Sequence, residues 1–162
     1  MHMRPDRPRG RLLLLVRERG ATVARRQATN MVLRGGATLI AQLFAGAGGA
    51  QAVNAVGIGL ATEPGGAEGS ALTPPPASAN IPPAALLTAL AADSFQLVTD
   101  QTDTVQVNIA AVFSPTQDLT GVTEAGLFAG DTLYNQVIFE PVTLHVGQDV
   151  TFFWQIDFPF GH

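Results

Sequence analysis

From Thr104 onward, hydrophobic and polar residues alternate. Thr104 to Phe113 sets Val105, Val107, Ile109 and Phe113 on one side and Gln106 and Asn108 on the other. Gln148 to Phe158 repeats the pattern, with Val150, Phe152, Trp154, Ile156 and Phe158 against Thr151, Gln155 and Asp157. Asp93 to Thr99, Gly121 to Phe128 and Thr132 to Phe139 complete the series, the last with Leu133, Val137 and Phe139 on one side. A period of two predicts strands with one buried face. The connections hold turn residues: Asp100, Ser114-Pro115, Ala129-Gly130-Asp131 and Val146-Gly147. Short strands in succession predict a mainly β fold, an antiparallel β-sandwich. Trp154 falls in its core. Phe153 breaks the alternation on the polar face, as a residue under a covering loop or in an intersubunit contact would.

Upstream the pattern changes. Residues 11–28 (RLLLLVRERGATVARRQA) read as a helix with Gly20 as a weak point. Asn30 is a plausible N-cap for a second helix, along which Val32, Gly36, Leu39, Ile40, Leu43 and Phe44 recur at helical spacing before Gly46, Gly48 and Gly49 end it. Val53 to Ala61 reads as a strand whose glycines imply a bulge or the close approach of another backbone. Residues 63–83 hold six of the eleven prolines and read as a surface loop or strap. The expected organisation is a basic, partly helical arm over 1–29, a helix and glycine-rich exit over 30–49, and a β-sandwich over 50–162. The arm is expected to be protease-sensitive.

Charge sharpens this division. The chain has no lysine, and its nine arginines all lie between Arg4 and Arg34. Residues 1–34 carry them against Asp6 and Glu18, a net of +7; residues 35–162 carry eleven acids and no arginine or lysine, a net of −11. Such a split speaks of partners more than of fold. Arg11, Arg17, Arg19, Arg25, Arg26 and Arg34 are the candidate partner-binding residues, because guanidinium forks pair well with carboxylates on another subunit or another copy of the chain. Nucleic acid is the less favoured partner, since the arm has no aromatic residue and the acidic body would repel a duplex. Binding of Leu12 to Val16 at a membrane surface is less favoured still. The uncharged stretch 35–62 is glycine-rich and its strongly apolar part, 37–44, is too short to span a bilayer, so no membrane span is expected.

Candidate chemistry is sparse. The absence of cysteine excludes disulfides, thiolate metal sites and cysteine nucleophiles. Of the three histidines, His2 and His162 lie at the chain ends, and His145 reads as a turn residue to which no Ser or Asp can be paired from the sequence. Asp93, Asp100 and Asp103 flank a turn without metal-ligand spacing. Gly57-Ile-Gly59 lacks the third glycine, the helix and the distant acid of a dinucleotide fingerprint. No catalytic, metal or cofactor residue is assigned. Glu124 shares a strand face with Val122, Gly126 and Phe128, which would bury it. Its carboxylate then needs backbone N–H donors or an arginine from a neighbour.

Gly121-Val-Thr-Glu-Ala-Gly-Leu-Phe128, followed by Ile138-Phe-Glu-Pro-Val142 and by Asp149 to Phe158, resembles the phage tail-collar fibre and tail-fibre-associated structural proteins. Val56 to Thr62 looks like that family's glycine-containing strand, and Asn30 to Phe44 like its opening segment. Glu124, Ala125, Gly126, Leu127 and Phe128 match the first of these elements, and the resemblance rests on the ordered set over residues 30–158. The arginine-rich arm departs from the family pattern. Glu124, Gly126, Phe128 and Trp154 are the candidate structural residues. The resemblance implies a non-enzymatic subunit of a phage tail or related contractile injection particle: a collar, baseplate or fibre-attachment adaptor. Such a subunit is made in the bacterial cytoplasm and contacts other particle subunits and copies of itself. A host-surface glycan-binding module and a nucleic-acid-contacting head or neck protein are the alternatives.

Overall fold

The computed structural model describes residues 9–61, 63 and 65–161. His2, His162, Arg4, Arg7 and the first eight residues of the expected arm lie outside them. The fold is mainly β, with two antiparallel sheets and one α-helix. The first sheet has the order β2 (Ala21–Thr29), β1 (Arg9–Glu18), β11 (Asp149–Pro159), β7 (Thr104–Phe113), β6 (Phe95–Val98). The second has the order β3 (Met31–Val32), β10 (Asn135–Leu144), β8 (Leu119–Ala129), β4 (Ala55–Gly59), β5 (Leu87–Ala89), with the short β9 (Thr132–Leu133) paired to β8.

Residues 11–28 are not helical. They form a hairpin that belongs to the sandwich, with β1 paired to β11 from Arg9↔Asp157 to Arg17↔Asp149. Within the apolar run, Leu12, Leu14 and Val16 are buried while Leu13 and Leu15 point to the other face of the sheet. A half-apolar outer face hides the alternation that marks a strand. Gly20 serves the turn: Arg19 (φ 51°) and Gly20 (φ 82°) both take left-handed backbone between the paired Glu18 and Ala21. That is the geometry a two-residue hairpin loop requires. From Arg9 onward the expected loose arm is therefore part of the packed body.

The core lies between the sheets. Leu12 and Leu14 from β1, Ile109 and Phe113 from β7, and Phe152, Trp154 and Ile156 from β11 meet Val56, Ile58, Leu127 and Val137 of the second sheet in one buried cluster. Each such side chain contributes about 1.5–3 kcal/mol on burial. The strands expected at 104–113 and 148–158 keep the register read from the sequence. The strand expected at 132–139 is broken at Tyr134, and its main part runs on to Leu144. That at 93–99 shortens to β6 behind a 3-10 turn at Ala92–Ser94.

Helix α1 spans Arg34–Ala45, and its N-cap is Leu33 rather than Asn30. Asn30 instead donates its backbone N–H to the Gly10 carbonyl, so it finishes the hairpin. Gly46 closes the helix in left-handed backbone, donating to the carbonyls of Gln42 and Leu43. The apolar stripe read from the sequence is present, but only Gly36 and Leu39 are buried within the helix. Ile40, Leu43 and Phe44 face solvent, Phe44 at 95% exposure. No described helix is long and apolar enough to cross a membrane.

Candidate functional site

The surface divides by sheet. On the outer face of the second sheet, Gly57, Gly59 and Gly126 lie in adjoining positions of β4 and β8, with Gly57 paired to Gly126 and Gly59 to Glu124. A Cβ on any of the three would press on Leu72 at 3.0–3.3 Å, and would meet Phe128, Glu124 and Leu133, respectively, at closer range. The close approach expected from the glycines of β4 is that of residues 70–74, part of the strap expected at 63–83. The strap is held by polar bonds: the Thr73 N–H donates to Glu124 Oε1 (2.7 Å), the Leu60 N–H to the Thr73 carbonyl (2.9 Å), and the Gly65 N–H to Gln136 Oε1 (3.0 Å). Gln136 Nε2 in turn donates to Glu124 Oε2. Glu124 is fully buried, and backbone N–H and carboxamide donors satisfy it, not an arginine. Gln136, Leu72 and Thr73 carry no local signal in the sequence, because each acts through contacts far away in the chain. Gly126 admits Leu133 and the Asn135 carbonyl as well as Leu72, and Phe128 lies over Gly57. Trp154 is buried on the inner side.

Among the described residues, no segment covers the outer face of the first sheet in this way. One cross-strand row, Gln96, Asn108, Gln155, Arg11 and Thr29, crosses all five strands. The next row holds Ala110, Phe153, Leu13 and Gln27. Phe153, singled out by its break in pattern, is 40% exposed there. Between it and the turn at Ala92–Ser94 lies a concavity of about 560 Å³, lined also by Arg11, Gln27, Asp93, Gln96, Asn108 and Gln155.

The arginines part company. Arg26 lies on β2 opposite Leu14. Its Nε and Nη2 donate to the carbonyls of Glu140 (2.8 Å) and Pro141 (2.7 Å) in β10, and Nη1 donates to the Arg25 carbonyl (2.8 Å). It ties one sheet to the other. Arg34 pairs with Glu68 of the strap (Nε–Oε1 3.2 Å), both exposed. Among the described residues, Arg11, Arg17, Arg19 and Arg25 are exposed and make no side-chain hydrogen bond or ion pair. Arg17 stands opposite Asp149 on the neighbouring strand, so acids are interleaved with the bases on this face. Asp93, Asp100 and Asp103 flank β6 at the far edge of the sheet.

No three His, Asp or Glu among the described residues gather as a metal-ligand set. His145 Nδ1 lies 3.4 Å from Asp118 Oδ1 at the turn after β10, with both side chains exposed. The Val146 N–H, and then His145, hold the Asp118 carboxyl below the usual aspartate range. Compared with family models, with curated proteins and with solved structures, the chain finds no match.

Proposed function

We propose that this chain is a structural subunit of a phage tail or related contractile injection particle: a collar, baseplate or fibre-attachment adaptor acting through protein–protein contacts. Helix α1 is the observation that carries this reading. After Arg34 it has no charged residue, and it turns Ile40 (38% exposed), Leu43 (47%) and Phe44 (95%) outward from a body whose core is already complete. Clustered large apolar side chains of this kind are covered in an assembly. The uncommitted Arg11, Arg17, Arg19 and Arg25 support the same reading, as forks for carboxylates on a neighbour. A nucleic-acid reading is less favoured, because Asp149 sits among them on the same sheet.

The test uses the full chain, tagged and produced in the bacterium that encodes it. Particles are separated on a density gradient. The chain is expected in the particle fraction at constant ratio to other particle proteins. Phe44→Glu is expected to melt like wild type yet stay in the soluble fraction. A wild-type chain that never sediments with particles defeats the proposal.

A further inference from the structure

We propose that the outer face of the first sheet holds a binding site for a neutral oligosaccharide, centred on Phe153. This inference is independent of the assembly reading above. The concavity of about 560 Å³ falls in the range of ligand sites. Its origin is local. Phe153 stands directly opposite Ala110, whose methyl group leaves a hollow between the aromatic ring and the 3-10 turn at Ala92–Ser94.

The lining selects the ligand. Four carboxamides, Gln27, Gln96, Asn108 and Gln155, surround the hollow. Gln27, Gln96 and Asn108 make no side-chain hydrogen bond among the described residues, and Gln155 makes one, from Nε2 to Asp157 Oδ1 at 3.3 Å. Each carboxamide offers a donor and an acceptor side by side, which is what neighbouring sugar hydroxyls require. Charge is balanced by one arginine, Arg11, and one aspartate, Asp93. A phosphate or a polyanion would meet too little positive charge here, and a metal ion would meet a single carboxylate. The half-exposed Phe153 ring gives a flat apolar platform for the C–H face of a pyranose. The polar row lies two residues along each strand, about 7 Å away, within reach of hydroxyls on a ring stacked at Phe153. From β1 to β6 is three strand spacings, about 14 Å, which suits a short oligosaccharide better than one sugar. The groups project from paired strands, so little ordering is needed when a ligand arrives.

The experiment titrates the full chain with maltotriose, lactose and triacetylchitotriose, observed by ligand saturation-transfer NMR and calorimetry. At least one is expected to bind with Kd below roughly 1 mM. Phe153→Ala and Gln155→Ala are expected to weaken that binding at least tenfold with an unchanged melting profile. Val112→Ala, exposed on the same face but outside the hollow, is expected to leave it unaltered. Failure of all three sugars to bind overturns the proposal. So does binding that survives Phe153→Ala, or a preference for a sulfated sugar over its neutral parent. If Phe153→Ala abolishes self-association while no sugar binds, the face is a protein interface and the proposal fails. Particle incorporation is scored separately, so failure here leaves the assembly reading standing.

Discussion

On the outer face of the second sheet, three glycines make a floor low enough for residues 70–74 to lie across it, and a buried carboxylate clips them down. On the outer face of the first sheet the equivalent positions hold Arg11, Leu13, Phe153, Gln155 and Asn108, and no segment of the described residues covers them. Among the described residues, the chain thus closes one side of its sandwich with its own strap, and does not do so on the other side or over helix α1. The difference is chemical before it is topological. A covering segment needs small residues beneath it and partners for its backbone groups. The second sheet supplies both, and the first presents Gln27, Gln96 and Asn108, which make no side-chain hydrogen bond among the described residues.

The shared core should be most sensitive, because both faces rest on it. Trp154 is 1% exposed in the cluster that joins the sheets, and Trp154→Ala is expected to cost about 3–5 kcal/mol in denaturant unfolding. The covered face comes next. Glu124→Ala strands the Thr73 N–H and the Gln136 carboxamide, and should cost about 3 kcal/mol. Hydrogen exchange should then accelerate at residues 65–73 while β1 and β11 keep their protection. Uniform loss of protection would mean that the strap is no separate layer, and the contrast between the two faces would be lost.

Alternation was legible wherever polar residues interrupt it, as in β7 and β11, and the glycines of β4 announced that another segment comes close. The hairpin was not legible. Leu13 and Leu15 fill the positions where a polar residue would have shown the period of two, and Gly20 fits either a weak helix or a turn. The latch was half legible. Glu124 called for donors, but Gln136 and Thr73 come from distant points in the chain. The arginines looked alike in sequence because composition cannot distinguish an arginine on the inner side of an edge strand from one on its outer face.

That last distinction separates two neighbours. Arg26→Gln breaks three hydrogen bonds to carbonyl oxygens and is expected to cost about 1.5–3 kcal/mol. Arg25→Gln, one residue away and exposed, should stay within about 0.5 kcal/mol. The triple variant Arg17→Gln, Arg19→Gln and Arg25→Gln therefore tests partner binding without disturbing the fold. It should fold normally and incorporate poorly into particles. Wild-type incorporation should weaken with salt, since exposed charges are screened over about 8–10 Å at ordinary ionic strength. Normal incorporation of the triple variant would remove the arginines from the interface.

The smallest effect concerns the turn by which the chain passes from β10 in the second sheet to β11 in the first. Asp118, just before β8, accepts the Val146 N–H at 3.1 Å and lies beside His145, and its carboxyl titrates below the usual aspartate range for those two reasons, the backbone bond being the larger. A group with a lowered folded-state pKa adds stability above its unfolded value, near 3.9, and loses that contribution as pH falls through the folded value. The wild type should therefore lose slightly more stability than Asp118→Asn on acidification below about pH 4, with the two curves parallel between pH 5 and pH 6. The side chains are exposed, so the difference should be slight and should shrink in salt for the His145 part but not for the Val146 bond. Thermal melts of both proteins across that range, at low and high salt, would measure it. An identical acid slope for the two would mean that the Asp118–Val146 bond is not kept in solution and that the turn between the sheets is looser than its geometry indicates.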